Sequence, residues 1–173
     1  MSKGRQRVFL DTTFLDALLN PKRAEHTVAV KYFENWMSRG VVVATSTICI
    51  AEYAVHAATL HPIFNNITAV PFNVEAGILT GELFRRYKGK TMSVVADKEG
   101  ARDSLKDDFK IVAAAALFGA KAIAHNDKRT MHLFLAKAIE ELQECKGMMS
   151  IVLSDGYNAG YANLDVPELD LNI

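Results

Sequence analysis

The chain has 173 residues, with 20 Lys plus Arg against 20 Asp plus Glu, so its formal net charge is zero, and half of it is hydrophobic. That is enough chain for one domain with a real core, in the composition of a soluble globular protein. Zero net charge excludes nucleic-acid binding through bulk positive charge, so any such contact needs a local basic patch or a metal ion.

No apolar run is long enough to span a membrane. The basic start, Met1 to Arg7, is followed by only a short apolar run before Asp11, too little for a signal peptide, so a cytoplasmic location is expected. The two cysteines, Cys49 and Cys145, are unclustered and lie in apolar or helical stretches. They read as reduced thiols, not as a disulfide framework or a zinc site.

Val8 to Leu10 is an apolar run ending at Asp11, which suits a buried strand. Thr12 or Thr13 can cap a helix carrying Phe14, Leu15, Leu18 and Leu19, which Asn20-Pro21 stops. His26 to Met37 is a second helix on Val30, Phe33, Trp36 and Met37, closed by Arg39-Gly40. Tyr32, Phe33 and Trp36 read as core or dimer surface. Val41 to Ala44 is β-branched and predicts a second strand. Ser46 caps a helix that carries Ile48, Ala51, Val55 and Ala58 and ends near Pro62. Ile67 to Phe72 predicts a third strand. Val74 to Tyr87 predicts a helix with Ile78, Leu79 and Leu83 inward and Arg85 and Arg86 outward. Arg85, Arg86, Lys88 and Lys90 form a basic run, read as a solvated helix end with phosphate contact as the alternative.

From Gly89 to Lys106 the pattern mixes a candidate short strand, Met92 to Val95, with charged, turn-prone residues. Asp107 and Asp108 then open a helix whose body, Ile111 to Phe118, is almost wholly apolar and therefore sandwiched in the core. Acids in its first turn suit the positive end of the helix dipole. Gly119 ends it. Ala122 to Ala124 predicts a fourth strand running into His125-Asn126-Asp127. Thr130 to Cys145 is amphipathic, and Met149 to Leu153 predicts a fifth strand. From Ser154 the chain is polar and acidic, with Tyr157 and Tyr161, and periodicity does not place it. Strands alternating with helices imply a central parallel sheet of about five strands covered on both faces.

On that scaffold four acids converge. Ligands of an open parallel sheet bind beyond the carboxyl ends of its strands, where strand order reverses. Asp11 follows the first strand and Asp127 the fourth; if those strands are neighbours, the two carboxylates sit side by side. Asp108 lies at the start of the helix that feeds the fourth strand, and Glu52 in the helix that leaves the second. Clustered carboxylates repel one another unless protonated or bound to a cation. Oxygen ligands with open positions favour Mg²⁺ or Mn²⁺. Three of these acids also have a plainer reading: Asp11 as a helix cap, Asp108 as a partner of the helix dipole and Asp127 as a turn residue, while Asp107 reads as solvated and Glu52, in an apolar context, favours function.

Val8-Phe9-Leu10-Asp11-Thr12-Thr13-Phe14-Leu15, Ala44-Thr45-Ser46-Thr47-Ile48 with Ala51-Glu52, Asp108 to Ala115, and His125-Asn126-Asp127 together resemble the four motifs of the PIN-domain nucleases. The toxins of VapBC-type toxin–antitoxin systems are the nearest in kind. The likeness covers roughly residues 6 to 153. It implies a PIN-like three-layer α/β fold, with residues 1–153 as the nuclease domain and 154–173 as a C-terminal tail of the same domain. It implies a metal-dependent endoribonuclease in which Asp11, Glu52, Asp108 and Asp127 hold one or two Mg²⁺ or Mn²⁺ ions and RNA is cut to a 5′-phosphate and a 3′-hydroxyl. An RNA substrate, a cognate antitoxin and a homodimer are the partners it implies.

Candidates for orienting a ligand carboxylate or touching substrate are Thr13, Ser46, Asp107, Asn126, Lys128 and Arg129. His56 reads as a surface or packing residue with a place near the metal as the alternative; His125 is a weaker candidate for substrate contact. Two rival functions stand beside this reading. A haloacid-dehalogenase-type phosphatase also places Asp after a strand, but it wants a second acid two residues later, where this chain has Thr13. A non-catalytic PIN-like protein-binding module would keep the fold without the metal.

Overall fold

Five strands, β1 (Arg7–Leu10), β2 (Val42–Ser46), β3 (Thr68–Val70), β4 (Ala122–His125) and β5 (Met149–Val152), form one parallel sheet in the order β3-β2-β1-β4-β5. The computed structural model describes residues 5–57, 59–95, 101–128 and 130–164, and only the backbone of 88–95 and 101–104. Among the described residues seven helices surround the sheet: α1 (Thr12–Leu19), α2 (His26–Ser38), α3 (Thr47–His56), α4 (Val74–Val95), α5 (Ala101–Phe118), α6 (Met131–Glu141) and α7 (Ala159–Ala162). This is the α/β architecture expected from the alternation of strands and helices.

The strands are short and buried on both faces, so their sequences do not alternate. Val8, Phe9 and Leu10 of β1 and Ala122, Ile123 and Ala124 of β4 are fully buried. Right-handed crossovers place α1 and α2 on one face and α5 and α6 on the other. On the first face Trp36 lies between Phe14 and Tyr32, with ring centroids 5.7 and 5.3 Å away. On the second, Phe109 of α5 meets Phe134 of α6 at 4.3 Å and Phe84 of α4 at 5.7 Å. Tyr32, Phe33 and Trp36 are thus core residues.

The chain moves outward from β1 through β2 to β3, then returns to place β4 on the other side of β1. Strand order therefore reverses between β1 and β4. The amide of Asp11 donates to the Ala124 carbonyl at 3.0 Å, stitching the two strand ends together.

Several elements differ from the sequence reading. The candidate strand at Met92–Val95 is helical, as the last turn of α4. A four-residue strand needs an open sheet edge to pair with, whereas a helix already nucleated extends one hydrogen bond per residue. Within α4 the buried stripe is Ala76, Leu79, Leu83 and Tyr87, and Ile78 is 69% exposed instead of inward. Helix α5 begins at Ala101, two turns before Asp107. β3 keeps only three of the six residues expected of it. In α3 only Cys49 is buried, and Val55 is 77% exposed, so the outer stripe of this helix meets no further layer among the described residues. Ala58, expected on the same stripe, lies outside the described residues. α6 stops at Glu141 and gives way to a 3-10 turn at Gln143–Cys145. Both cysteines are free and buried, and burial pushes each thiol up to about 12, so neither is reactive.

The segment after β5, which periodicity does not place, folds back onto α2 as far as it is described. The Tyr157 ring meets Tyr32 in a tilted contact, centroids 4.9 Å apart, and the Asn158 amide donates to the Tyr32 hydroxyl at 2.9 Å. Residues 165–173 lie outside the described residues. No helix among the described residues is long and apolar enough to cross a membrane.

Candidate active site

Asp11, Glu52, Asp108 and Asp127 all line one cleft, a cavity of about 570 Å³ beyond the carboxyl ends of β1 and β4. Each arrives from a different element. Asp11 ends β1 and caps α1, its Oδ2 accepting from the Thr13 amide at 3.1 Å. Glu52 sits on α3, which starts where Ser46 caps it through the Ile48 amide at 3.1 Å. Asp127 follows β4. Asp108 is the eighth residue of α5. That helix runs antiparallel to the strands and ends at the amino edge, where the Phe118 carbonyl accepts from Arg7 Nη1 at 2.7 Å. Ten residues of helix span about 15 Å, close to the length of a four-residue strand. Asp108 is thereby brought level with the strands' carboxyl ends.

Three threonine hydroxyls hold these oxygens. Thr12 Oγ1 donates to Glu52 Oε2. Thr13 Oγ1 donates to Asp11 Oδ2 at 2.5 Å and accepts from the Asn126 amide at 2.8 Å. Thr130 Oγ1 lies 2.7 Å from Asp108 Oδ2 and also within bonding distance of Asp127 Oδ2. A hydroxyl has one proton to donate, so two ionised carboxylates cannot both be served by Thr130. The electrostatics resolve this. Burial pushes the Asp108 carboxyl up to about 8, with Asp11 and then Asp127 and Glu52 adding to the rise and the Thr130 bond opposing it. Burial and the surrounding acids thus favour the neutral form of Asp108, which leaves the single Thr130 proton to serve Asp127. Burial also pushes Asp11 up to about 6, against its bonds to Thr13 and Thr12, with Glu52 adding slightly.

As the threonines hold them, no group of three or more such side chains among the described residues stands close enough to share one ion. The donor set is nonetheless all oxygen and mutually repulsive, and burial pushes Asp11 and Asp108 toward their neutral forms. That chemistry fits a hard divalent cation.

No protein-family model matches the chain, and no curated protein matches it significantly. Solved structures do. A chain in the crystal structure of VapBC2 from Rickettsia felis, bound to a DNA fragment from its promoter, superposes with a TM-score of 0.53 at 14% identity, over 84% of this chain and 97% of that one. The Mycobacterium tuberculosis toxin VapC20, which cleaves the sarcin–ricin loop, gives a TM-score of 0.49 at 19% identity over 75% and 94%. The chain has the PIN-like fold of VapC proteins. Likeness at this identity concerns the fold, and function is argued from the side chains.

Within that PIN-like frame the remaining sequence candidates separate. Thr13 lines the cleft and bonds Asp11. Ser46 is buried as the α3 cap and does not line it. Asp107 pairs with Lys110 at 2.6 Å, outside the cleft lining. Asn126 ties the end of β4 to the later chain, its Oδ1 accepting from the Ser154 amide at 3.0 Å. Lys128 pairs with Asp155. Arg129 lies outside the described residues. Arg86 pairs with Glu82 at 2.7 Å, and the side chains of Lys88 and Lys90 are not described.

His56 is exposed and lines the cleft. His125 does not. It is fully buried, its Nδ1 accepts from the Asp127 amide at 3.1 Å, and its Nε2 bonds Ser150 Oγ at 2.8 Å. Burial holds it down at about 4, against the pull of Asp127, so it is a neutral strut beneath the Asp127 turn.

The sequence reading assigned no site role to Thr12 or Thr130, nor to Asp16, Arg23 and Tyr53, which also line the cleft. Thr130 carried one signal: a hydroxyl three residues after a candidate ligand, at the start of a helix, is placed to bond back to it.

Proposed function

We propose that this chain is a divalent-metal-dependent endoribonuclease and the toxin of a type II toxin–antitoxin pair. The observation that supports the reading is the convergence of Asp11, Glu52, Asp108 and Asp127 in one cleft at the reversal of strand order. The PIN-like fold shared with VapBC2 of Rickettsia felis supports it further. In this reading the four acids hold one or two Mg²⁺ or Mn²⁺ ions. Such an ion, when bound, lowers the pKa of water and neutralises charge on a phosphate. Thr12, Thr13 and Thr130 orient the carboxylates toward the cleft. The buried pair Asp11 and Asp108 gives up any proton it carries as the cation enters. A cognate antitoxin and a second copy of this chain belong to the same proposal, supported by the exposed apolar Val55 on α3 and Ile78 on α4.

The test is RNA cleavage by the purified chain in Mn²⁺ and in EDTA. Cleavage is expected in Mn²⁺ only, leaving 5′-phosphate ends, and Asp11→Asn and Asp108→Asn are expected to abolish it while circular dichroism stays unchanged. Full activity in EDTA or in Asp11→Asn overturns the proposal. Absence of both cleavage and Mn²⁺-dependent stabilisation leaves the protein-binding module in its place.

A further inference from the structure

We propose that Arg23 holds a substrate phosphate at the mouth of the cleft, an inference that rests on the nuclease reading. Five acids line this cleft, Asp16 among them, and a phosphodiester is an anion. The chain as a whole carries no net positive charge to attract it. Arg23 is the one Lys or Arg among the described residues that line the cavity. Of the basic side chains singled out in sequence, Lys128 pairs with Asp155 and Arg86 with Glu82.

The backbone presents Arg23 from a built turn. Asn20 Oδ1 accepts from the Lys22 amide at 3.1 Å, the Asn20 carbonyl accepts from the Arg23 amide at 3.0 Å, and the Arg23 carbonyl accepts from the His26 amide at 3.1 Å. From that turn between α1 and α2 the guanidinium reaches Asp16. Both side chains are well exposed, 56% and 39%, so water screens the pair and it exchanges readily. A carboxylate and a phosphate present the same paired oxygens to a guanidinium fork. Asp16 thus parks Arg23 where an incoming phosphate can take its place.

The charge logic separates this role from a simple loop clasp. If the pair only ties the turn to α1, Arg23→Gln and Asp16→Asn break the same contact and act alike. If Arg23 binds phosphate, they act oppositely. The experiment measures fluorescence anisotropy of a labelled single-stranded RNA in Mn²⁺, on the full chain with Glu52→Gln to suppress cleavage, across a salt series. Arg23→Gln is expected to weaken binding about tenfold and to lower the slope of log K against log salt by about 0.7, one phosphate contact. Asp16→Asn is expected to tighten binding by up to about fivefold, and Arg23→Lys to fall between Arg23→Gln and the parent. An unchanged slope in Arg23→Gln, or shifts of the same sign in both variants, overturns the inference. Cleavage by the unaltered chain is assayed alongside. Its absence overturns the nuclease reading, while the binding series still decides Arg23.

Discussion

Thr130 shows how much of this site depends on single protons. Its hydroxyl lies within bonding distance of both Asp108 and Asp127 and has one proton to share between them, so a neutral Asp108 relieves the competition. Thr130→Val removes the bridge but keeps the volume. It should weaken Mn²⁺ binding about 10- to 100-fold, the usual cost of losing a group that orients a ligand, while Thr130→Ser stays close to the parent; isothermal titration calorimetry measures both. The raised acids also set a pH dependence. Asp108 moves from 3.8 to about 8 and Asp11 from 3.8 to about 6 on folding. A carboxyl raised in the fold contributes stability that is complete below its unfolded value and lost as pH climbs through the folded one. His125 acts in the other direction: lowered from 6.5 to about 4, it contributes fully above 6.5 and loses that as pH falls. In EDTA, urea unfolding should therefore show the parent losing stability from pH 5 to pH 9, and Asp108→Asn losing distinctly less. An equal loss in both would mean that Asp108 is not the group responsible.

Helix α5 is the element that carries Asp108, one of the two buried candidate ligands. Asp108 lies beyond the reach of the helix dipole, which acts within the first turn, so the dipole offers no compensation for its burial. Its neighbour Phe109 is fully buried between Phe84 and Phe134. Phe109→Ala should cost about 3–5 kcal/mol in denaturant unfolding, and under conditions where it remains folded its Mn²⁺ affinity should fall as well, because Phe109 anchors the helix turn that carries Asp108. The apolar body of α5 was legible in the sequence; its start was not. Asp107-Asp108 looks like a helix opening because acids favour first turns. Helix α5 packs against α4, a contact between segments that local pattern cannot register. The outer stripe of α3 misled for the related reason that a periodic apolar face need not meet a second layer.

For the molecule as a whole, zero net charge and a cleft of carboxylates make cation binding the main electrostatic event of the proposed function. If Asp108 is a ligand, as proposed, Mn²⁺ competes with its proton, so apparent affinity should climb with pH, by up to about tenfold per unit, and level off near pH 8. The thermal midpoint should rise with Mn²⁺ accordingly, more at pH 8 than at pH 6; equal shifts at both would remove Asp108 from the site. By itself the sequence determined the strand–helix alternation and, with it, the side of the sheet on which Asp11 and Asp127 stand, because a residue that directly follows a parallel strand can only lie at its carboxyl end. It also marked Glu52 and Asp108 by type and spacing. Only the tertiary structure decided that β1 and β4 are neighbours, that Thr130 joins two acids, that His125 points away from the cleft, and that Arg23 rather than Lys128 stands at its mouth. Those facts depend on which distant segments share space, and the residues concerned, hydroxyls and surface cations, carry no hydrophobic period by which a sequence could place them.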